Sequence, residues 1–220
     1  MNKSITIDLF SDLVCPWCFI GATRLEQALA GMASEVTAEV CYQPFFLDPN
    51  VPPAGISIPD MLKKKYGADP KQLWARVEAA ARESGLALDL SRQPMMYPTA
   101  APHTLLRHAE ARGTQRALAS ALFGAYFQGA VNISDPEQLA GIAEQHAFTR
   151  AEALQLVSAP DELELTTEAA ISAAQGGIRG VPFFIFGGKL AVSGAQSVSV
   201  LQSAIRQAVE PTPSEPPLAV

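Results

Sequence analysis

No stretch of this sequence approaches the roughly 20 consecutive apolar residues that a membrane-spanning helix needs, so no helical membrane span is expected. Ahead of Ile5-Thr6-Ile7-Asp8-Leu9 stands one lysine, and that run alternates like a strand where a secretory leader would be continuously apolar. A cytoplasmic location is the expectation. Positive charge is also scarce. The largest basic cluster is Lys63-Lys64-Lys65 in a chain of net charge -6, which disfavours nucleic acid as a partner. Those lysines share a segment with Ile58, Met61, Leu62 and Tyr66 at helical spacing, and read as a solvated helix face. Cysteines number only three, an odd count that argues against a framework of structural disulfides. The three histidines, His103, His108 and His146, show no paired spacing of the kind metal sites use.

What remains is ample for a folded globular protein, with 48% hydrophobic and 17% charged residues over 220 positions. The first fifty residues read as strand, helix, strand: Ile5 to Phe10 alternates, Pro16 to Leu29 is helically periodic, and Val36 to Phe46 is β-branched and aromatic. Gly31 stands where a helix-terminating glycine would. From Ser57 to about Gly177 the composition turns to Ala, Leu, Glu and Gln, predicting six or seven helices. Their punctuation is Gly67 to Pro70, Gly85, Ser134-Asp135-Pro136-Glu137, and a capping box at Thr149 and Glu152. Strand character returns at Val181 to Phe186, with a Gly187-Gly188 turn, Lys189 to Val192, and an amphipathic helix from Ser197 to Val209. Neither terminal β piece can bury a sheet face alone, so the two are predicted to form one mixed sheet of about four strands flanked by helices. The predicted organisation is residues 1–50 and 178–210 as the sheet-containing domain, 51–177 as a helical insertion, and 211–220 as a proline-rich mobile tail.

The chemistry concentrates in Cys15-Pro16-Trp17-Cys18, placed where a strand gives way to a helix. Cysteines at i and i+3 in that context put the first sulfur at the helix N-terminus, where free amides and the dipole favour an anion. Cys15 is thereby the expected nucleophile, and Cys18, one turn deeper, the resolving thiol. Pro16 suits the first helical position, whose N–H has no intrahelical acceptor. Trp17 fills a place where a histidine would supply positive charge, which predicts a redox potential less oxidising than about -120 mV, the value of the strongest oxidants. The competing reading of a Cys-x-x-Cys pair is half of a zinc site, but four ligands are needed and Cys41 stands alone in a strand. Cys41 reads as a buried strand residue. A second feature is Val181-Pro182-Phe183-Phe184, where proline opens a strand-like run. Such a proline either begins an edge strand in the trans form or carries a cis bond. In the cis case Val181 would offer its backbone to an extended substrate beside the sulfurs.

Taken in order along the chain, four segments carry a resemblance to a known family. They are Ser11-Asp12-Leu13-Val14-Cys15-Pro16-Trp17-Cys18-Phe19-Ile20-Gly21, Pro44-Phe45-Phe46-Leu47-Asp48-Pro49, Ile133-Ser134-Asp135-Pro136, and Gly180-Val181-Pro182-Phe183-Phe184 with Val192-Ser193-Gly194-Ala195-Gln196. The sequence resembles the DsbA-like branch of the thioredoxin-fold proteins, and within it the FrnE-type dithiol-disulfide oxidoreductases, over about residues 4 to 209. The resemblance implies an α/β thioredoxin fold with a large helical insertion and a cis proline at Pro182. It also implies Cys15 as nucleophile, Cys18 as resolving thiol, and a substrate face that includes Val181, Phe183, His103 and Gln196. One segment departs from the pattern: in Tyr97-Pro98-Thr99-Ala100-Ala101-Pro102-His103-Thr104, His103 matches, whereas Pro98 and Thr104 do not.

The leading expectation is therefore thiol-disulfide exchange, as a reductase or isomerase, on disulfide-containing proteins or small molecules. No bound cofactor is needed, glutathione serving as a thiol substrate, and the chain is expected as a monomer or homodimer. Glutathione-dependent isomerases and transferases of the kappa or 2-hydroxychromene-2-carboxylate type share the implied architecture but resemble a pattern with serine at the reactive position, where this chain has Cys15. A non-catalytic alternative makes the Phe183-Phe184 hairpin and the helices an apolar peptide-binding groove.

Overall fold

Alternation in the first strand reflects the burial of one of its faces. In the computed structural model, which describes residues 2–67 and 69–210, β1 (Lys3–Ser11) buries Ile5, Ile7, Leu9 and Ser11 on one face. It lies at the centre of a four-stranded mixed sheet ordered β2-β1-β5-β6. β2 (Val36–Pro44) runs parallel to it in the register Lys3 with Val36 through Ser11 with Pro44. β5 (Phe183–Phe186) runs antiparallel, pairing Phe10 with Phe183 and Ile7 with Phe186, and β6 (Leu190–Ser193) completes a hairpin. Gly187 and Gly188 both adopt positive φ in its turn, a conformation that any other residue would strain to hold. The β pieces from the two ends of the chain thus form one thioredoxin-type sheet.

The parallel pairing of β1 and β2 requires a crossover, and α1 (Pro16–Ala30) supplies it. Its buried residues Cys18, Phe19, Ala22, Leu25 and Ala28 face the sheet and the helices beyond. Phe19 stacks on Phe123 at 5.2 Å and on Phe127 at 5.8 Å, fixing the helix that carries the cysteines to α5 (Gln115–Phe127). Between β2 and β5 lie seven α-helices among the described residues: α2 (Ile58–Tyr66), α3 (Pro70–Glu83), α4 (Ala100–Glu110), α5, α6 (Pro136–Ala143), α7 (Arg150–Ser158) and α8 (Pro160–Gln175). α9 (Val198–Val209) closes the chain. One cluster of buried side chains runs from Ile7 and Leu9 in the sheet through α1 to Leu105, Leu122 and Leu139, so sheet and helices share a core.

The helix punctuation follows capping chemistry. Asp135 accepts the Gln138 amide with Pro136 in the first turn, and Thr149 accepts the Glu152 amide. The Glu152 carboxylate does not return the bond; Arg112 takes it instead, so the capping box is half made. Gly85 has positive φ and follows α3, with the Leu86 amide reaching back to Ala81 O.

The structure refines several readings. Gly31 does end α1, but with φ of -69° it is not left-handed. The helical segment also contains a ribbon of two-residue strands, β3 (Ile56–Ser57) with β4 (Met95–Met96), too short to leave a periodic trace. Residues 100–104, within the segment that departs from the family pattern, form the first turn of α4. Pro102 is tolerated there because amides in a first turn lack intrahelical acceptors. The tail expected at 211–220 lies outside the described residues.

At the sheet edge, Gln115 stands in for a fifth strand. Its Oε1 accepts the Tyr42 amide at 2.8 Å, and its Nε2 donates to Tyr42 O and Leu106 O, both at 3.1 Å.

The tightest packing near the sheet is at Gly21 of α1, where a Cβ would meet Pro182 Cγ at 2.8 Å and Phe184 Cζ at 3.3 Å. Gly21→Val is expected to destabilise the protein by about 1–3 kcal/mol through overpacking, read as a lowered urea midpoint with unchanged m.

Candidate active site

β1 ends by delivering Asp12 to a tight turn in which the Cys15 amide donates to Asp12 O at 3.0 Å. Cys15 is the N-cap of α1, in extended conformation with no side-chain capping bond, and Pro16 occupies the first turn. The amides of Cys18 and Phe19 donate to Cys15 O at 3.0 and 3.2 Å. Pro16 has no N–H, and among the described residues the Trp17 amide finds no backbone acceptor. It is the donor left for an anion at the helix start. Trp17 itself is half-buried and packs against the core.

The two thiols differ in environment. Cys18 is fully buried, and burial pushes its pKa well above the ordinary value near 9, reinforced by its hydrogen bond to Cys15 and by the Cys15 charge. Cys15 is also largely covered, and its thiol donates to Val181 O at 3.9 Å. No disulfide bond joins Cys15, Cys18 or Cys41. Cys41 is separate, on β2; burial, with Glu110, Asp8 and Glu39 nearby, raises it to about 11. Among the described residues no group of three or more His, Cys, Asp or Glu is arranged to hold a metal ion.

Facing the cysteines is the chain leading into β5. The Val181–Pro182 peptide bond is cis, Pro182 is buried, and Val181 and Phe183 are half-buried. The Val181 carbonyl meets Cys15, while its amide makes no hydrogen bond among the described residues. Phe183 and Phe10 meet edge to face at 6.5 Å beside it. Gln196 is exposed, its Nε2 donating to Ser193 O at 2.8 Å, in the segment where the Gly194 amide donates to Pro182 O.

His103 is placed differently from expectation. The resemblance set it on the substrate face, but its side chain is only 2% exposed, because the first turn of α4 points it inward. Its Nε2 stands 3.9 Å from Asp12 Oδ1, which is too far for a hydrogen bond, and Phe46 lies across its ring at 6.0 Å. Asp12 is equally buried and accepts the Leu47 amide at 2.7 Å through Oδ2. Sequence reasoning missed this pair, since 91 residues separate its members and nothing in either segment points to the other. The mismatched Thr104 has a partner of its own in Thr166 of α8, 2.8 Å away.

The model of the DSBA-like thioredoxin domain matches residues 6–206. A probable DsbA oxidoreductase from Streptomyces coelicolor is similar at 30% identity, with a TM-score of 0.83 over 98% of this chain and 93% of that one. An uncharacterised protein of Bacillus subtilis, YwbO, is 26% identical, covering 92% of this chain and 96% of its own length. The fold is also shared with the cytosolic disulfide reductase DsbM from Pseudomonas aeruginosa, solved with GSH. There the identity is 17% and the TM-score 0.62, over 93% and 95% of the two chains.

Native labelling with iodoacetamide at pH 8 is expected to leave Cys18 and Cys41 unmodified while Cys15 reacts, with three adducts by mass spectrometry only after denaturation. Raising pH carries a second signature. Because the folded-state thiol pKa values of Cys18 and Cys41 are raised, the unfolded chain releases these protons first. The stability they contribute is complete below about pH 9 and drains away as pH rises, that of Cys41 as pH climbs through about 11. The melting temperature should therefore drop between pH 8.5 and 10.5, and drop less in Cys41→Ala.

Proposed function

Because the chain belongs to the DSBA-like thioredoxin-domain family, whose members are oxidoreductases and isomerases, we propose that it is a dithiol-disulfide oxidoreductase working as a reductase or isomerase. The observation that carries this reading is a sulfur at a helix start, in contact with the carbonyl of Val181 and backed by a fully buried second thiol.

In the proposed reaction the Cys15 thiolate attacks one sulfur of a substrate disulfide, forming a mixed disulfide and releasing the other substrate sulfur as a thiolate, which takes up a proton. Cys18 then loses its proton and attacks the Cys15 sulfur. The Cys15–Cys18 disulfide forms, and the second substrate thiol departs. Two electrons have passed from the dithiol to the substrate. Two molecules of a thiol such as glutathione reverse the change on the enzyme, leaving as their own disulfide. The raised pKa of Cys18 favours its waiting as a thiol until the mixed disulfide brings a leaving sulfur into reach. The unoccupied Val181 amide supports capture of an extended chain at the same place, with Phe183 and Gln196 at the margin.

A cytoplasmic setting fits such a reductant. No helix among the described residues is long and apolar enough to cross a membrane.

Cys15→Ser is expected to abolish turnover of insulin disulfides while leaving the melting curve in place. Cys18→Ala should accumulate mixed disulfides on Cys15 that mass spectrometry can identify. Unchanged activity of the Cys15→Ser protein would instead support the peptide-binding reading. Equilibration in glutathione buffers is expected to give a potential more reducing than about -120 mV, given Trp17 between the cysteines.

A further inference from the structure

Arg24 lies on α1, beyond the cysteines, and its side chain is only 14% exposed. Its Nε donates to Ser84 Oγ at 2.8 Å, its Nη1 to Ala195 O at 2.7 Å and its Nη2 to Ala80 O at 3.3 Å. The carboxylate beside it, Glu83, is 3.9 Å away on a side chain that is 77% exposed, so neutral oxygens do most of the holding. Covering a guanidinium in this way costs free energy that an apolar residue of the same length would not. What the guanidinium adds is direction: a planar fork that fixes three acceptors on different elements in one geometry.

Two of these acceptors belong to the last turn of α3, where free carbonyls and the helix dipole favour a cation. Ser84 Oγ also donates to Ala80 O at 2.8 Å, and Gln27, the next turn along α1, donates to Ser84 O at 2.9 Å. The third acceptor, Ala195, sits between β6 and α9, next to Gly194, whose amide donates to Pro182 O at 2.8 Å. Pro182 is thus held twice. Its ring rests against Gly21, one turn before Arg24, and its carbonyl is tied to the segment that Arg24 holds.

We propose that Arg24 is a positioning residue: through Ala195 and Gly194 it keeps the Val181–Pro182 segment in register with the cysteine helix, and it makes the end of α3 part of the same clamp. This rests on the oxidoreductase reading above and deepens it. Without the clamp, the enzyme loses capture of extended disulfide-bearing chains, whereas the Cys15 sulfur keeps its reactivity toward a small disulfide that does not need the Val181 backbone.

The test uses the full chain with Arg24→Met, which keeps the aliphatic stem, and Ser84→Ala, which removes one partner. For insulin, kcat/KM is expected to fall about tenfold in Arg24→Met, mainly through KM, and about two- to threefold in Ser84→Ala. Reduction of 5,5′-dithiobis(2-nitrobenzoate) should change by less than about twofold in both. Hydrogen exchange should accelerate at residues 193–196 in both variants. Equal losses on the two disulfides, or no loss on either, would overturn the clamp, as would unchanged exchange at Gly194. If Arg24→Met fails to fold, Ser84→Ala decides by the same readouts. A wild-type protein that reduces neither disulfide would sink the oxidoreductase reading, and exchange at Gly194 would still decide whether Arg24 holds this segment.

Discussion

The structure depends on the way the first turn of α1 is pressed against the residues that enter β5. A helix N-terminus is useful for sulfur chemistry only if its amides are left without partners and something confronts the sulfur from the other side. Here Pro16 removes one amide and the Trp17 amide is left open. Val181, 166 residues away along the chain, presents its carbonyl to Cys15. Gly21 makes the approach possible, since any side chain there would collide with Pro182. The central strand β1 imposes the meeting: it ends in the cysteine turn, and it pairs directly with β5.

This explains why the fold places most of its helices away from the sulfurs yet remains a single core. The Phe19, Phe123 and Phe127 stack and the Arg24 contacts attach the helices to α1 itself. The helix that carries the chemistry is therefore the common wall of both halves. A shift in the helical part would be felt at the cysteines through packing, and at the Val181 segment through Ala195. Polar side chains largely removed from solvent make hydrogen bonds at these junctions: Gln115 at the edge of β2, Arg24 beneath the β5 entry, and Asp12, which accepts the Leu47 amide, behind the cysteine turn. Each connects segments distant in sequence, and each specifies one arrangement where apolar contact alone would tolerate several.

What the sequence made legible divides along the same line. Local signals were readable: alternation in β1, the apolar strand run of β5, prolines in the first turns of α1 and α6, the Gly187-Gly188 turn, and the Cys15 to Cys18 spacing at a strand-to-helix junction. These depend on residues within one turn of each other. The two-residue ribbon of β3 and β4 has no periodicity to read. His103 shows the limit of transfer by resemblance. The residue matched, but the direction of its side chain depends on where α4 begins.

Arg24 was invisible for a different reason. An arginine on an amphipathic helix ordinarily reads as solvated, and nothing within one turn of it suggests carbonyl partners. Its acceptors come from the end of one helix and the segment before another, 56 to 171 residues away. Once the sheet joins the two ends of the chain, that segment must return beside α1, and its carbonyls need donors. A buried cation held by neutral carbonyls is thus a consequence of the strand order, and the same order brings Val181 to Cys15. The geometry that makes the sulfur site and the geometry that holds it are one constraint, imposed by the pairing of β1 with β5.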